Sequence, residues 1–253
     1  MNIQIQSPSY ENGSGGIRVL HYLGYLCYIL GHKVHMTCEN LNPQWGAYSR
    51  PNDKYDIRIL PEIYPPSFQD GVNTVRWALY FPGRLCNGPT HYPDHEYVVS
   101  YHRAYLEAVQ KATNQKDVKI FFLPYLDMIG VEDDIPRENI GAVWHGKGPI
   151  IKPPEITGIP IITRSWPSPR YRLIQFLKST MTIYSFDKFT ALNAEALLCG
   201  CNVMLWDGEK FEPYYQKDPD EGIMEISTDL LRVNKFIDSI KTHFDIKEKR
   251  GLL

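Results

Sequence analysis

The sequence predicts an α/β protein of two doubly wound domains facing each other across a cleft. Three observations carry that prediction. Short apolar runs rich in β-forming residues alternate with helix-forming stretches along the chain. The alternation restarts after a polar segment, Asp133 to Glu138, which divides a compact N-terminal domain (1–137) from a C-terminal domain (138–253). One stretch, Met181 to Gly208, reads as strand, turn, helix, turn, strand, and so short a span implies a parallel βαβ unit.

In the first half, Asn2 to Gln6 is a strand with Ile3 and Ile5 alternating. The turn-forming loop PSYENGSGG follows, then a helix over Ile17 to Leu30 with Gly31 as its stop, then a strand over Lys33 to Thr37. Asn40 to Asp53 reads as loop and Tyr55 to Leu60 as strand. Val72 to Tyr80 reads as helix, Arg84 to His95 as irregular, and Tyr97 to Ser100 as strand. Val118 to Leu123, almost wholly apolar, reads as a central buried strand.

In the second half, Ile140 to His145 and Ile159 to Thr163 are strands, and Pro167 to Ser179 is a helix with Leu173, Phe176 and Leu177 on one face. Within the βαβ unit, Met181 to Tyr184 and Asn202 to Trp206 are the strands, and Ala191 to Cys199 is the helix, closed by Gly200. That helix is apolar almost all round, so it is buried, yet Glu195 sits in its middle. An unpaired buried carboxylate is costly, so a protein group or a ligand must satisfy it. A last strand over Gly222 to Ile226 and a C-terminal helix over Thr228 to Phe244 complete this domain.

Composition narrows the function classes. The chain has 253 residues, 43% hydrophobic and 13% aromatic, with a formal net charge of −2, which argues against a nucleic-acid-binding or membrane-coating protein. No stretch approaches the roughly 20 apolar residues of a membrane span, and the N-terminus lacks a signal peptide's basic start and apolar core. The cysteines (Cys27, Cys38, Cys86, Cys199 and Cys201) form no CxxC pair, so they read as reduced packing thiols of a cytoplasmic protein, with no zinc site. The acidic run Glu132, Asp133 and Asp134 reads as solvated, and no metal or resident cofactor is expected.

Candidate site residues fall at the C-terminal ends of strands, where open α/β sheets bind ligands. Gly15 and Gly16 follow the first strand; they either admit a ligand to the backbone or only make a tight turn. Their spacing is not GxGxxG. In the second half, His145 and Lys147 follow one strand, Arg164 the next, and Asp187 to Thr190 the third. Two cations and a helix N-terminus near Thr190 and Ala191 suit a diphosphate, and Glu195 one turn on can accept from ribose hydroxyls. The competing readings are solvated charges at Lys147 and Arg164, a packing histidine at His145 and an internal ion pair at Glu195. No GxSxG, HExxH or Walker A motif occurs.

The segment from Ile161 to Gly208 resembles the nucleotide-binding half of GT-B glycosyltransferases of group 1, the GT4-like kind. The resemblance lies in Glu195-Ala196, Cys199-Gly200 and Asn202-Val203. Gly15-Gly16 with Gly31-His32-Lys33-Val34 is similar to that family's opening, and ILPEIY and VNTVRWALYFPG resemble bacterial-type members. The resemblance implies two Rossmann-like domains, a nucleoside-diphosphate sugar as co-substrate, and a carbohydrate or lipid-linked glycan acceptor. It places Gly15 and Gly16 near the donor phosphates or the acceptor. It puts His145, Lys147, Arg164, Asp187, Thr190, Ala191 and Leu192 around the donor, with Glu195 on the ribose. Lys147, Arg164 and Asp187 are then the catalytic set. The family's E-x7-E pair is Asp187 with Glu195 here, so the shorter carboxylate either faces the donor sugar or caps the helix.

The sequence therefore points to a glycosyltransferase that needs no metal and retains anomeric configuration, the last from the resemblance alone. A degenerate GT-B protein that binds nucleotide sugar or glycan without turnover, or a partner subunit, is the alternative. A GT-B epimerase is weakened by the lack of an evident acid/base carboxylate set, and a nicotinamide oxidoreductase by the glycine spacing.

Overall fold

The computed structural model describes residues 1–43, 45, 49–123, 134–214 and 226–249, apart from the side chains of 226–228 and 245–249. The expected strand at Gly222 to Ile226 lies outside the described residues except for Ile226, which begins a helix, and Glu132 and Asp133 lie outside them too. The chain forms two compact units, Met1–Tyr125 with Met224–Leu253, and Leu126–Ile223.

The first unit is a six-stranded parallel sheet of β1 (Asn2–Ile5), β2 (Lys33–Met36), β3 (Ile57–Pro61), β4 (Asn73–Ala78), β5 (Tyr97–Ser100) and β6 (Lys119–Ile120), in the order β2-β1-β3-β4-β5-β6. The turn-forming loop and helix α1 (Gly15–Ile29) join β1 to β2, and Gly31, at φ +82°, ends the helix as its sequence predicts. One sheet face presents Ile3, Ile5, Ile57, Ile59, Val75, Trp77 and Val99. It shares a core with Leu20, Leu23 and Leu26 of α1 and with Val233, Phe236, Ile237 and Ile240 of α5 (Ile226–Lys249). The C-terminal helix therefore belongs to the first unit, not to the C-terminal domain where the sequence places it. Its stripe of apolar residues only acquires a destination once that sheet is assembled.

Three further expectations change. Val72 to Tyr80 is not a helix but the central strand β4, paired with β3 and β5. Five of its six residues are buried, so the two-residue alternation that marks a half-exposed strand is missing. Val118 to Leu123 is not central: β6 is a two-residue edge strand with both residues exposed, and the apolar burial comes from Phe121 and Leu123 beyond it. Helix α2 (Arg103–Lys111), which the sequence reading does not anticipate, packs on β5 through a short apolar stripe, Tyr105 and Val109. The links β3 to β4 and β4 to β5 contain no α-helix, so the winding of this unit is only partly helical.

The second unit is a five-stranded sheet in the order β11-β10-β9-β7-β8, with β7 (Asn139–Trp144), β8 (Ile161–Ile162), β9 (Thr180–Ser185) and β10 (Asn202–Trp206) parallel and β11 (Phe211–Pro213) antiparallel at the edge. Helix α3 (Arg170–Ser179) packs on β9 and α4 (Ala191–Leu198) on β9 and β10. A second cluster joins Val143, Ile156 and Phe186 to Ile151, Ile159, Tyr184 and Trp206. β9–α4–β10 is the predicted βαβ unit. Gly200 stops its helix at φ +80°, and Arg137 closes the end, donating to Thr180 O at 2.5 Å and Cys199 O at 2.7 Å. Arg137 is thus part of the second unit, and the division lies N-terminal to the polar segment that marks it in the sequence. Within that segment Arg137 is the residue that caps α4.

Candidate functional site

The C-terminal edge of the second sheet is built from the turns after β7, β8 and β9. After β7, Gly148 N donates to His145 O at 2.7 Å, and His145 Nδ1 lies 3.0 Å from Pro149 O. The His145 ring stacks on Phe186 at 4.8 Å and 18°, so this histidine packs. Lys147 is exposed at the tip of the turn. Glycine is required on both sides of it. Gly146 has φ +54°, and an added Cβ would lie 2.5 Å from Asp187 Oδ2 and 2.6 Å from Trp144 Nε1, while a Cβ on Gly148 would overlap the Phe186 carbonyl.

After β9, Asp187 is buried. Its Oδ2 accepts from Lys147 N at 3.0 Å and its Oδ1 from Phe189 N at 3.2 Å. Its backbone carbonyl accepts from Asn193 Nδ2 at 2.9 Å. Asp187 does not cap α4. Thr190 does, its hydroxyl accepting from Leu192 N at 3.4 Å. Ala191, the first helical residue, then presents an N–H that has no acceptor within the helix. After β8, Arg164 is exposed in a turn closed by Thr163 N to Trp166 O at 2.8 Å and Trp166 N to Thr163 Oγ1 at 3.0 Å.

Glu195 has a protein partner: the guanidinium of Arg170, first residue of α3, forms an ion pair with it, and both side chains are buried. This is the arrangement that reconciles a carboxylate with an apolar helix, since an uncompensated buried charge is strongly destabilising. Arg170 is absent from the sequence-derived site because its pairing joins positions 25 residues apart on different helices, and no local pattern marks it. At the other end of α4, burial pushes the Cys199 thiol up to about 12 and the Cys201 thiol to about 11, so neither is a nucleophile.

Gly15 and Gly16 lie in the first unit, at the start of α1, where Ser14 caps by accepting from Ile17 N at 3.5 Å. Neither has positive φ, and a Cβ on Gly16 would meet Leu79 at an ordinary 3.5 Å. No close backbone approach demands glycine at position 16.

Two side chains not singled out in the sequence join the strand-edge cluster. The indole N–H of Trp144 and the side-chain oxygen of Asn193 are buried without a hydrogen-bond partner among the described residues, as is His145 Nε2. Buried polar atoms are usually satisfied, and a bound ligand is one way of satisfying them. Cations at the ends of neighbouring parallel strands, a capped helix N-terminus and unpaired donors and acceptors together suit an anion with polar substituents. Among the described residues no cluster of His, Cys, Asp or Glu could hold a metal ion, and no helix is long and apolar enough to cross a membrane.

No family model matches the chain, and no curated protein matches it. Among solved structures, the chain is similar to one described as the glycotransferase of kitacinnamycin, with a TM-score of 0.48 and 10% identity over 96% of this chain and 95% of that one.

Proposed function

We propose that the chain is a GT-B glycosyltransferase, similar to group 1, which moves a sugar from a nucleoside-diphosphate sugar to a hydroxyl of a carbohydrate or lipid-linked glycan, with retention. The observation that carries the reading is the strand edge of the second unit. Lys147, Arg164 and the N-terminus of α4 follow the parallel strands β7, β8 and β9 at one sheet edge, and the last two lie in the stretch whose sequence resembles the donor-binding half of that family. In this reading the acceptor oxygen bonds to the anomeric carbon as the carbon–diphosphate bond breaks. The hydroxyl proton passes to the departing diphosphate. Lys147, Arg164 and the amide of Ala191 stabilise the charge that develops on that leaving group, in place of a metal. Glu195 accepts from the ribose while Arg170 orients it.

The experiment is a thermal-shift screen of nucleoside diphosphates and their sugars on the full chain, followed by transfer assays with any hit. At a hundredfold excess over Kd the stabilisation is about 2.7 kcal/mol. It is expected to fall but stay measurable in Lys147→Ala, and to weaken in Glu195→Ala. No shift with any nucleotide rejects the reading. A second reading, a protein that binds the nucleotide sugar without turnover, is favoured by one observation: both oxygens of Asp187 already hold backbone N–H groups. Binding with no transfer across an acceptor panel selects it.

A further inference from the structure

We infer that Asp187 is a positioning residue that acts through Lys147, holding the turn from which the lysine reaches the donor diphosphate, rather than a carboxylate facing the donor sugar. The inference rests on the nucleotide reading above.

The geometry is an interlock between two turns that are 40 residues apart in sequence. From one side, Asp187 accepts the backbone N–H of Lys147 with one oxygen and that of Phe189 with the other, so one carboxylate ties the β7 turn to the turn that leads into α4. From the other side, Gly146 and Gly148 leave no space for a side chain against Asp187, Trp144 and Phe186. Lys147 is the one residue between these two contacts. Its backbone is therefore fixed where its side chain is exposed. Asp187 is also held from behind, by Asn193 on its carbonyl and by Ser185 Oγ, 3.3 Å from its N–H. A carboxylate buried and engaged in this way is poorly placed to contact a sugar. It is well placed to fix the backbone from which the Lys147 side chain extends, and so the region its ammonium can reach.

The inference is tested by titrating sugar-free UDP, GDP and ADP into the full chain by calorimetry, using wild type, Asp187→Asn, Lys147→Ala and the double variant. Asn keeps one acceptor and turns an N–H₂ toward a backbone N–H. Asp187→Asn is expected to weaken whichever diphosphate binds by about tenfold, and to add less than twofold once Lys147 is Ala, because the two act as one unit. Gly146→Ala enters the same interlock from the opposite turn and is expected to give the same pattern, which keeps the test open if Asp187→Asn does not fold. Unchanged diphosphate binding in Asp187→Asn, even with slowed transfer, overturns the inference. So does an equal loss with and without Lys147, which marks a general structural effect. Binding of none of the three diphosphates by wild type overturns the nucleotide reading and this inference with it, whereas normal wild-type binding with an indifferent Asp187→Asn removes this inference alone.

Discussion

Arg76 shows what a single residue can organise in this fold. It is fully buried at the middle of β4, and each of its five N–H donors has an acceptor: Glu96 twice, and the carbonyls of Pro61, Tyr64 and Pro65. It thereby fastens the two helix-free links on either side of β4. Burial pushes the Glu96 carboxyl up, but the Arg76 guanidinium outweighs it and holds the group below its ordinary value. The unfolded chain then binds the proton more readily than the folded one. The pair's contribution is present above the ordinary glutamate value of about 4.3 and is lost as pH falls below it. Melting temperature should drop on acidification through that window. Glu96→Gln, which leaves a buried guanidinium without its counter-charge, should cost about 3–5 kcal/mol in urea denaturation. The thiols make a second residue-scale prediction. Burial pushes Cys27 up to about 12, and Cys199 and Cys201 to about 12 and 11. In native protein at pH 8 a thiol-exchange reagent should label exposed Cys86 at once and half-buried Cys38 more slowly. The other three should react only on unfolding.

At the scale of elements, helix ends were the most legible features, because capping is local chemistry. Gly31 and Gly200 both stand just past a helix at positive φ, yet they are not equivalent. Open space surrounds Gly31, whereas a Cβ on Gly200 would collide with the guanidinium of Arg137. Gly31→Ala should cost about 1 kcal/mol for the left-handed backbone alone, and Gly200→Ala measurably more, as read from paired urea melts. Strands were less legible. The residues of β4 lack a two-residue period because both sheet faces are covered, and without it the run reads as a helix. The stretch around β6 has the opposite fault: its apolar run suggests a centre, but its pairing makes it an edge. Neither error is one of composition. Both arise because burial on a second face is decided by neighbours distant in sequence.

For the whole molecule, α5 is the element that closes the first unit. Phe236 stacks on Phe121 at 3.9 Å and 7° and lies 6.1 Å from Trp77 in the centre of the sheet. Phe236→Ala should destabilise that unit by about 3–5 kcal/mol, as read from circular dichroism in urea. The parallel β/α alternation, the βαβ unit around α4 and the strand-end placement of Lys147, Arg164 and Asp187 could all be read from residues close in sequence, since turn chemistry and side-chain period act over a few positions. Three things could not be: that α5 returns to the first sheet, that Arg170 neutralises Glu195, and that Asp187 spends both oxygens on backbone amides. Each joins positions brought together only when the sheets assemble. The carboxylate in the apolar helix announced that a partner was needed, but packing of α3 against α4 supplied the guanidinium.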